Sequence, residues 1–355
     1  MTNKVPSDAP GNPSKLVRFG KTDLYVSRLC QGTAFRSAPD LSSKLRAIDR
    51  CIDSGVNFFD SSNAYGYGDA ETTLGKGIKG KRESIIICTK VHPFNPPFTE
   101  GATPTEAQFT CEFLFEQVDA CLRRLGTDHV DLYLLHNPDG ATPFEDLAGS
   151  MDDLVQTGKI RYWGVSNHCG RQIQELDSIA DKNRGANVSG AECYYNIAGV
   201  STLNTVMLSK WDVHPTISAG SSRIRWLEND TLPVLRSRGI GMLAYSPMDQ
   251  GYLSLTPPSD FAAKDVSPHA EGGSETPLKK LIHTIDSVSK DLGVSRAELC
   301  YGWVIAHPEV TSVLGGPETP VEIDQAVSGA NMDLSSDVMA ALNDASHAFS
   351  NAQGI

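Results

Sequence analysis

The sequence predicts a single (β/α)₈ barrel, and three observations support this prediction. Eight short apolar runs rich in β-branched residues alternate with longer amphipathic segments along the 355 residues. No linker divides the chain, and such barrels routinely exceed about 200 residues as one domain. Polar side chains follow several of the apolar runs, where a barrel carries its active site. An open doubly wound sheet is the competing arrangement, because it is built from the same alternation of strands and helices.

The predicted elements follow in chain order. A hairpin comes first, with strands over residues 16–19 and 24–26 joined by a turn over 20–23, and it could plug the bottom of the barrel. The eight barrel strands are predicted over residues 28–32, 56–59, 84–89, 130–135, 160–165, 188–193, 240–245 and 310–314. The clearest helix covers residues 112–125, where apolar residues recur three and four positions apart.

Two long loops are predicted over residues 198–229 and 251–276. Loops of this length in a compact domain are usually functional or mobile. We expect the first to cover a substrate or to complete a contact between subunits, so that a homo-oligomer is possible.

Composition and charge narrow the classes of partner. Lysine and arginine number 31 and aspartate and glutamate 43, which gives a formal net charge of −12. This acidity argues against nucleic acid and anionic membrane surfaces as partners, and no run approaches the roughly 20 apolar residues of a membrane span. Residues 1–15 are polar and lack the apolar core of a signal peptide, so we expect a disordered arm before one domain over residues 16–355.

The eight cysteines show no metal-ligand spacing. Most of them lie among apolar neighbours, so we expect buried free thiols in a reducing cytoplasm and no bound metal. Common catalytic signatures are also missing. No G-x-G-x-x-G follows a predicted strand, no tyrosine has a lysine four residues later, and no serine lies in a G-x-S-x-G elbow. These absences argue against a Rossmann dinucleotide site, a short-chain dehydrogenase and an α/β-hydrolase.

An acid, a lysine and a histidine each end an apolar run. Phe58-Phe59 leads into Asp60, residues 85–89 lead into Lys90, and residues 132–135 lead into His136. Each residue alone could be a hydrogen-bonding anchor for a loop. Because the carboxyl ends of barrel strands converge on one face, however, we expect the three to meet there.

Lys90 needs an anionic partner in this apolar setting, and Asp60 is the natural candidate. Tyr65 lies on the loop after Asp60 and can reach the same mouth. A neighbouring ammonium is expected to lower the pKa of the Tyr65 hydroxyl from its usual value of about 10. Tyr65 would then be a general acid near neutral pH.

With these residues in place, the chain resembles the aldo-keto reductase superfamily over residues 16–327. The resemblance rests on the order and spacing of modest motifs, which are Gly20-Lys21-Thr22, Gly32-Thr33, GVNFFDSS at 55–62, Ala64-Tyr65-Gly66, Thr89-Lys90, LGTD at 125–128, DLYLLH at 131–136, GVSN at 164–167 and AYSP at 244–247.

The resemblance implies hydride transfer between a nicotinamide cofactor, NAD or NADP, and a carbonyl or alcohol substrate such as an aldehyde, ketone or sugar. Tyr65 would be the general acid and base, Lys90 salt-bridged to Asp60 would tune it, and His136 would orient the substrate carbonyl. The implied cofactor-binding residues are Gly32, Thr33 and Asp60 at the first strands, Ser166, Asn167, Glu192 and Tyr245 at the nicotinamide, Ser246, Met248 and Gln250 at the pyrophosphate and ribose, and Gly315, Gly316, Glu318, Val321, Asp324 and Gln325 at the adenosine end.

Two positions depart from the family pattern. Glu192 stands where the family usually has a glutamine that contacts the carboxamide. The adenosine segment lacks the usual Lys or Arg for a 2′-phosphate, and none occurs from residue 310 to 355. Since a 2′-phosphate is normally met by such a residue, we expect a preference for NAD. A basic residue from another loop could still bind the phosphate, and Arg223, Arg225 and Lys264 are the candidates.

Two other functions stay open at this point. Potassium-channel β-subunits share the fold and the site, so a non-catalytic nicotinamide-binding regulatory subunit is one alternative. A lyase or epimerase that uses bound cofactor transiently is the other.

Overall fold

The computed structural model describes residues 15–93, 107–199, 227–251, 253 and 277–352. Most of the predicted N-terminal arm and of the two long loops lies outside these ranges, as do Arg223, Arg225 and Lys264. The described strands are β1 (Leu16–Arg18), β2 (Tyr25–Ser27), β3 (Leu29–Gly32), β4 (Phe58–Asp60), β5 (Ile86–Val91), β6 (Val130–Leu135), β7 (Ile160–Ser166), β8 (Val188–Tyr194), β9 (Gly241–Tyr245) and β10 (Ser312–Gly315). The α-helices are α1 (Leu41–Asp53), α2 (Asp69–Gly77), α3 (Cys111–Leu125), α4 (Phe144–Gln156), α5 (Gly170–Asn183), α6 (Leu232–Arg238), α7 (Pro277–Leu292), α8 (Arg296–Ile305), α9 (Pro320–Ala330) and α10 (Ser336–Ala352).

Strands β3 to β10 form a closed parallel barrel. Each strand pairs with the next in chain order, and β10 pairs with β3 to close the ring. The eight predicted barrel strands are confirmed with ends shifted by at most two residues, and the open-sheet alternative is wrong. The shifts matter at the site, because Asp60 is the last residue of β4 and Lys90 lies inside β5.

The hairpin of β1 and β2 seals the amino-terminal end of the barrel. The Phe19 ring is fully buried and packs edge-on against Phe58, with 5.7 Å between the ring centroids. Gly241 leaves the space for it, since a Cβ there would lie 2.6 Å from the Phe19 ring. Phe19 thereby joins the apolar cluster inside the barrel, and the predicted plug is confirmed. The cluster comprises Phe19, Leu24, Val26, Cys30, Phe58, Ile86, Cys88, Leu132, Leu134, Leu243 and Leu314.

Helix α3 shows why the outer layer folds as predicted. The Thr110 hydroxyl accepts a hydrogen bond from the Phe113 N–H at the start of the helix, and Gly126 ends it with a φ of 67°. The apolar face lies against the outside of the barrel, in a larger cluster between helices and strands. Among the helices of the described ranges, none combines the length and apolar character that crossing a bilayer requires. The eight cysteines are free thiols, all buried except Cys111.

Candidate active site

Three charged side chains from different strands meet inside the barrel. Lys90 Nζ lies 2.5 Å from Asp60 Oδ1 and 3.0 Å from Glu192 Oε2, and these side chains are 0–4% exposed. The contact between Asp60 and Lys90 joins neighbouring strands and was predicted. Glu192 belongs to β8, which adjoins neither β4 nor β5, so its carboxylate reaches Lys90 across the barrel. We call Asp60, Lys90 and Glu192 the buried ionic cluster.

Burial and mutual interaction shift the pKa of every member of this cluster. Burial raises the pKa of Glu192 to about 8, with a further increase from the Asp60 carboxylate and an opposing effect of Lys90. Burial also raises the pKa of Asp60, against the effect of Lys90. Burial by itself disfavours the Lys90 ammonium, yet the two carboxylates together hold the pKa of Lys90 well above its ordinary value.

Asp60, Cys88 and Glu192 have ligand atoms that all lie within 4.8 Å of one another, the spacing of a metal site. The Lys90 ammonium, however, hydrogen-bonds to both carboxylates. The side-chain ammonium therefore already supplies the positive charge that a metal ion would bring to these oxygens.

Tyr65 lies above the buried ionic cluster, half-exposed at the mouth of the barrel. It begins the 3₁₀ turn Tyr65–Gly68, in which Gly66 and Tyr67 adopt left-handed backbone angles. Lys90 Nζ is 5.1 Å from the centroid of its ring. Burial raises the pKa of the Tyr65 hydroxyl, and Lys90 opposes this without outweighing it. The predicted lowering of this pKa below its ordinary value is therefore wrong for the protein without bound cofactor, and Tyr65 holds its proton at neutral pH.

His136 follows β6 and faces Tyr65, with 5.6 Å between the ring centroids. Burial lowers the pKa of His136 well below its ordinary value, and the nearby Lys90 ammonium and His92 add to this. The imidazole is therefore neutral. Its Nδ1 atom lies 3.0 Å from Ser62 Oγ, which also accepts the N–H of Ala64. The Ser62 hydroxyl hydrogen has two acceptors within reach, Nδ1 of His136 at 3.0 Å and the Lys90 carbonyl at 3.5 Å. The shorter contact favours donation to Nδ1, which places the imidazole proton on Nε2.

Sequence reasoning missed two residues behind His136. Ser62 belongs to the motif at 55–62, but no role was predicted for it. Its position two residues after Asp60, at the end of a strand, could have indicated that it lies at the site. His92 lies 5.2 Å from the His136 ring centroid, and burial lowers the pKa of His92 to about 4. His92 is therefore neutral as well at neutral pH, and its ring packs edge-on against that of His136.

The ends of β7 and β9 form a connected amide and hydroxyl network. Asn167 Nδ2 donates to the His136 carbonyl at 3.0 Å and to Ser166 Oγ at 3.1 Å, and the Tyr245 hydroxyl donates to Asn167 Oδ1 at 2.8 Å. Asn167 and Ser246 both have left-handed backbone angles, with φ of 61° and 62°. Strained backbone of this kind clusters at functional sites. Tyr245 is half-exposed, and an exposed aromatic ring of this kind can stack on a flat ring.

The predicted adenosine end lies between β10 and α9. Gly316 is exposed, and a Cβ there would meet no atom within 4 Å. The start of α9 is closed by a capping box: the Thr319 hydroxyl accepts from the Glu322 N–H, and the Glu322 carboxylate accepts from the N–H groups of Glu318 and Thr319. Both carboxylate oxygens of Glu318 accept from the Ser37 N–H, at 3.1 and 2.9 Å.

The other predicted cofactor residues are distributed around this rim. Gly315 pairs with Gln31 in the barrel, Val321 is 66% exposed, and Gln325 is half-buried. Met248 packs on the core, and Gln250 lies in the short turn Asp249–Gly251. Near the first strand, Gly32 pairs with Asp60. The buried Thr33 hydroxyl donates to the Asp60 carbonyl at 2.9 Å and ties the strand ends together.

A basic residue that sequence reasoning did not consider approaches the adenosine end. Arg50 of α1 donates from Nη2 and Nε to Asp324 Oδ1 at 2.5 and 3.1 Å. The two side chains are 45% and 52% exposed. This cation is thus already paired with a carboxylate of the segment.

A sequence model of the Aldo/keto reductase family matches residues 28–347. This chain belongs to the aldo/keto reductase family. It is 27% identical to an uncharacterized oxidoreductase, YrpG, of Bacillus subtilis, over 92% of this chain and 94% of the relative. It is 26% identical to the methylglyoxal reductase YeaE of Escherichia coli, over 93% and 94%, and 26% identical to a probable voltage-gated potassium channel subunit beta of Arabidopsis thaliana, over 88% and 90%.

In this aldo/keto reductase the four predicted catalytic residues come together. Asp60 and Lys90 lie below, and Tyr65 and His136 form the half-exposed layer above. The arrangement offers two neutral hydrogen-bond donors to a group at the mouth, above the Lys90 ammonium and its carboxyl partners. Glu192, predicted at the nicotinamide, instead contacts Lys90.

Proposed function

We propose that this chain transfers a hydride between a nicotinamide cofactor and a carbonyl or alcohol substrate, with Tyr65 as the acid and base. The observation that carries the proposal is the position of Tyr65 between the neutral His136 and the buried Lys90. A phenol that keeps its proton, beside a cation able to stabilise the phenolate, is suited to give a proton to an alkoxide and take it back.

The roles of the residues follow from the charges at the mouth. A carbonyl oxygen placed there accepts hydrogen bonds from the Tyr65 hydroxyl and from Nε2 of His136. When a hydride adds to the carbonyl carbon, the π electron pair moves to the oxygen, which takes the Tyr65 proton. The phenolate that remains is stabilised by Lys90, and alcohol oxidation is the reverse. A bound nicotinamide cofactor supplies the hydride in reduction and accepts it in oxidation.

The residues present fit such a cofactor. Ser166 and Asn167 carry hydroxyl and amide groups of the kind that bind a carboxamide, Tyr245 has a half-exposed ring, and the open backbone at Gly316 leaves room for a phosphate. We further propose a preference for NAD. Glu318 lies at the adenosine end, and a basic residue there, Arg50, is held by Asp324.

Two relatives bear on the choice of function. The methylglyoxal reductase among them supports a small carbonyl compound as substrate here. The potassium channel β-subunit among the relatives makes a regulatory role the second candidate. The presence of Asp60, Tyr65, Lys90 and His136 together favours catalytic turnover.

The test is a panel of aldehydes, ketones and sugars with both cofactors in both directions, using wild type and Tyr65→Phe. We expect Tyr65→Phe to lower kcat by roughly 100- to 10,000-fold, the usual contribution of general acid–base catalysis, while cofactor binding is kept. Tyr67→Phe, at an exposed tyrosine of the same turn, is the matched control and should stay active. Near-wild-type kcat in Tyr65→Phe would remove Tyr65 from the mechanism. Cofactor binding without turnover of any substrate would favour the regulatory alternative.

A further inference from the structure

Glu192 gives Lys90 a second carboxyl partner in addition to Asp60. The distances from Lys90 Nζ are 3.0 Å to Glu192 and 2.5 Å to Asp60, and the cluster is closed to solvent. One ammonium thus faces two carboxyl groups, and full ionisation would leave a net negative charge in the barrel interior. Because a buried unpaired charge is costly, the excess carboxylate takes up a proton.

The contacts indicate which carboxyl group holds this proton. Asp60 has the shorter contact with the ammonium. Glu192 lies farther from the ammonium, and the nearby Asp60 carboxylate raises the pKa of Glu192 further. Glu192 is therefore neutral at neutral pH, and Asp60 and Lys90 form the charged pair.

Other titratable groups face Glu192 from the neighbouring elements. Cys30 on β3 and Cys88 on β5 are thiols whose pKa values are raised by burial, and Cys193, next to Glu192 but on the outer face of β8, has a raised pKa for the same reason. Tyr65 lies above, and the pKa of its hydroxyl is raised by burial too. On the strands flanking β8, the residues level with Glu192 are Ser166 and Leu243, which carry no charge. Of the groups around Glu192, its own carboxyl is therefore the one whose proton is lost most readily near neutral pH.

The next step rests on the proposed function. The substrate carbon must lie within bonding reach of the nicotinamide ring while its oxygen contacts Tyr65 and His136. This requirement brings the ring to the mouth directly above the buried ionic cluster. The oxidised ring is positively charged and the reduced ring is neutral. A positive charge close to Glu192, in a site closed to water, favours the carboxylate over the carboxylic acid.

We propose that Glu192 exchanges its proton for the positive charge of the oxidised nicotinamide: it is neutral in the free protein and with reduced cofactor, and ionised with oxidised cofactor. Only the Glu192 O–H bond breaks, and the proton passes to solvent. The charge of the site is then the same with either form of the cofactor. An amide at this position could not make this exchange.

The experiment is calorimetric titration of the full chain with oxidised and with reduced cofactor at pH 7, in buffers of different ionisation enthalpy. The dependence of the heat on the buffer counts the protons released on binding. We expect wild type to release roughly one proton per site with oxidised cofactor and close to none with reduced cofactor. Glu192→Gln keeps the shape of the side chain and should release none with either. Tyr65→Phe, which removes the other proton donor, should release the same number of protons as wild type on binding each cofactor.

The second measurement is the pH dependence of proton release by wild type, which does not require any variant to fold. Proton release with oxidised cofactor should fade as the pH is raised above about 8, since Glu192 is then already ionised. Equal release by wild type and Glu192→Gln would assign the proton to another group and overturn the proposal. Binding of both cofactors with no difference in release would also overturn it and leave the proposed function standing. Failure of both cofactors to bind would overturn the proposed function and this inference together.

Discussion

Ser62 Oγ lies 3.0 Å from Nδ1 of His136 and 3.5 Å from the Lys90 carbonyl, so the imidazole is the nearer acceptor for the serine hydrogen. With Nδ1 accepting from the serine, the proton is on Nε2 and available to a substrate oxygen. The two residues are 74 positions apart in the chain and meet because β4 and β6 flank β5.

Ser62→Ala tests this relationship. We expect kcat/KM for carbonyl reduction to fall roughly two- to tenfold, the worth of one hydrogen bond, with cofactor affinity unchanged. Ser61→Ala is the matched control, because Ser61 is equally buried and its hydroxyl has no hydrogen-bond partner among the described residues. Equal losses in the two variants, measured by steady-state kinetics, would mean that the Ser62 hydroxyl does not orient His136.

Glu192 is expected to make stability depend on pH. Burial raises its pKa from an ordinary value of 4.5 to about 8, so the folded state binds a proton that the unfolded state has lost. The stabilisation from this proton is complete below pH 4.5 and is lost as the pH rises through about 8. Glu192 by itself should therefore lower the free energy of unfolding by up to about 1.4 kcal/mol per pH unit between pH 6.5 and 8.

The measurement is urea unfolding of wild type and Glu192→Gln across that range. The buried histidines with lowered pKa values are neutral when folded but bind protons when unfolded near pH 6.5, so they make stability rise with pH equally in both proteins. The contribution of Glu192 is therefore the difference between the two slopes, and Glu175→Gln, at an exposed position on α5, should have the wild-type slope. Equal slopes in wild type and Glu192→Gln would mean that Glu192 does not titrate in this range.

Arg50 and Asp324 bear on the choice between NAD and NADP. Asp324→Asn would free the Arg50 guanidinium at the adenosine end, where it could meet a 2′-phosphate. We expect kcat/KM with NADP to rise roughly fivefold, the value of a charge-assisted bond at an exposed site, with little change for NAD. The comparison is made with one active substrate at fixed ionic strength.

Two variants separate this effect from net charge. Asp344→Asn changes the charge equally at an exposed position on α10 and should leave the cofactor ratio unchanged. Arg50→Ala added to Asp324→Asn should abolish the gain. A clear preference of the wild type for NADP would refute the proposed NAD preference and direct attention to Arg223, Arg225 and Lys264.

Phe19 is expected to contribute to stability without contributing to catalysis. Phe19→Ala should lower the free energy of unfolding by about 3–5 kcal/mol, since a large buried ring is removed from the barrel interior. Phe19→Leu should recover much of the loss. The specific activity of the folded fraction should not change, because the hairpin closes the end of the barrel opposite the active site. A lower specific activity of the folded protein in Phe19→Ala would contradict this expectation.

The alternation of apolar strands and amphipathic helices determined the β/α elements, because each strand end is marked by a local change in residue type. The pairing of β10 with β3 in the tertiary structure then decided between a closed barrel and an open sheet. The same local signal located Asp60, Lys90 and His136, and the unfavourable burial of a lone ammonium already paired Lys90 with Asp60. The helix ends at Thr110 and Gly126 are likewise local. These features depend on residues close together in the chain, and for that reason the sequence alone determined them.

The tertiary structure decided the charge of the site and the neighbours of its polar groups. Glu192 is 102 residues from Lys90, and only closure of the barrel brings β8 opposite β5. The same closure excludes water, so that burial outweighs the Lys90 ammonium and raises the pKa of Tyr65. Arg50 meets Asp324 because α1 and α9 are adjacent on the outside of the barrel. Electrostatic shifts depend on every charge and on the solvent within several ångströms, and no stretch of sequence carries that information.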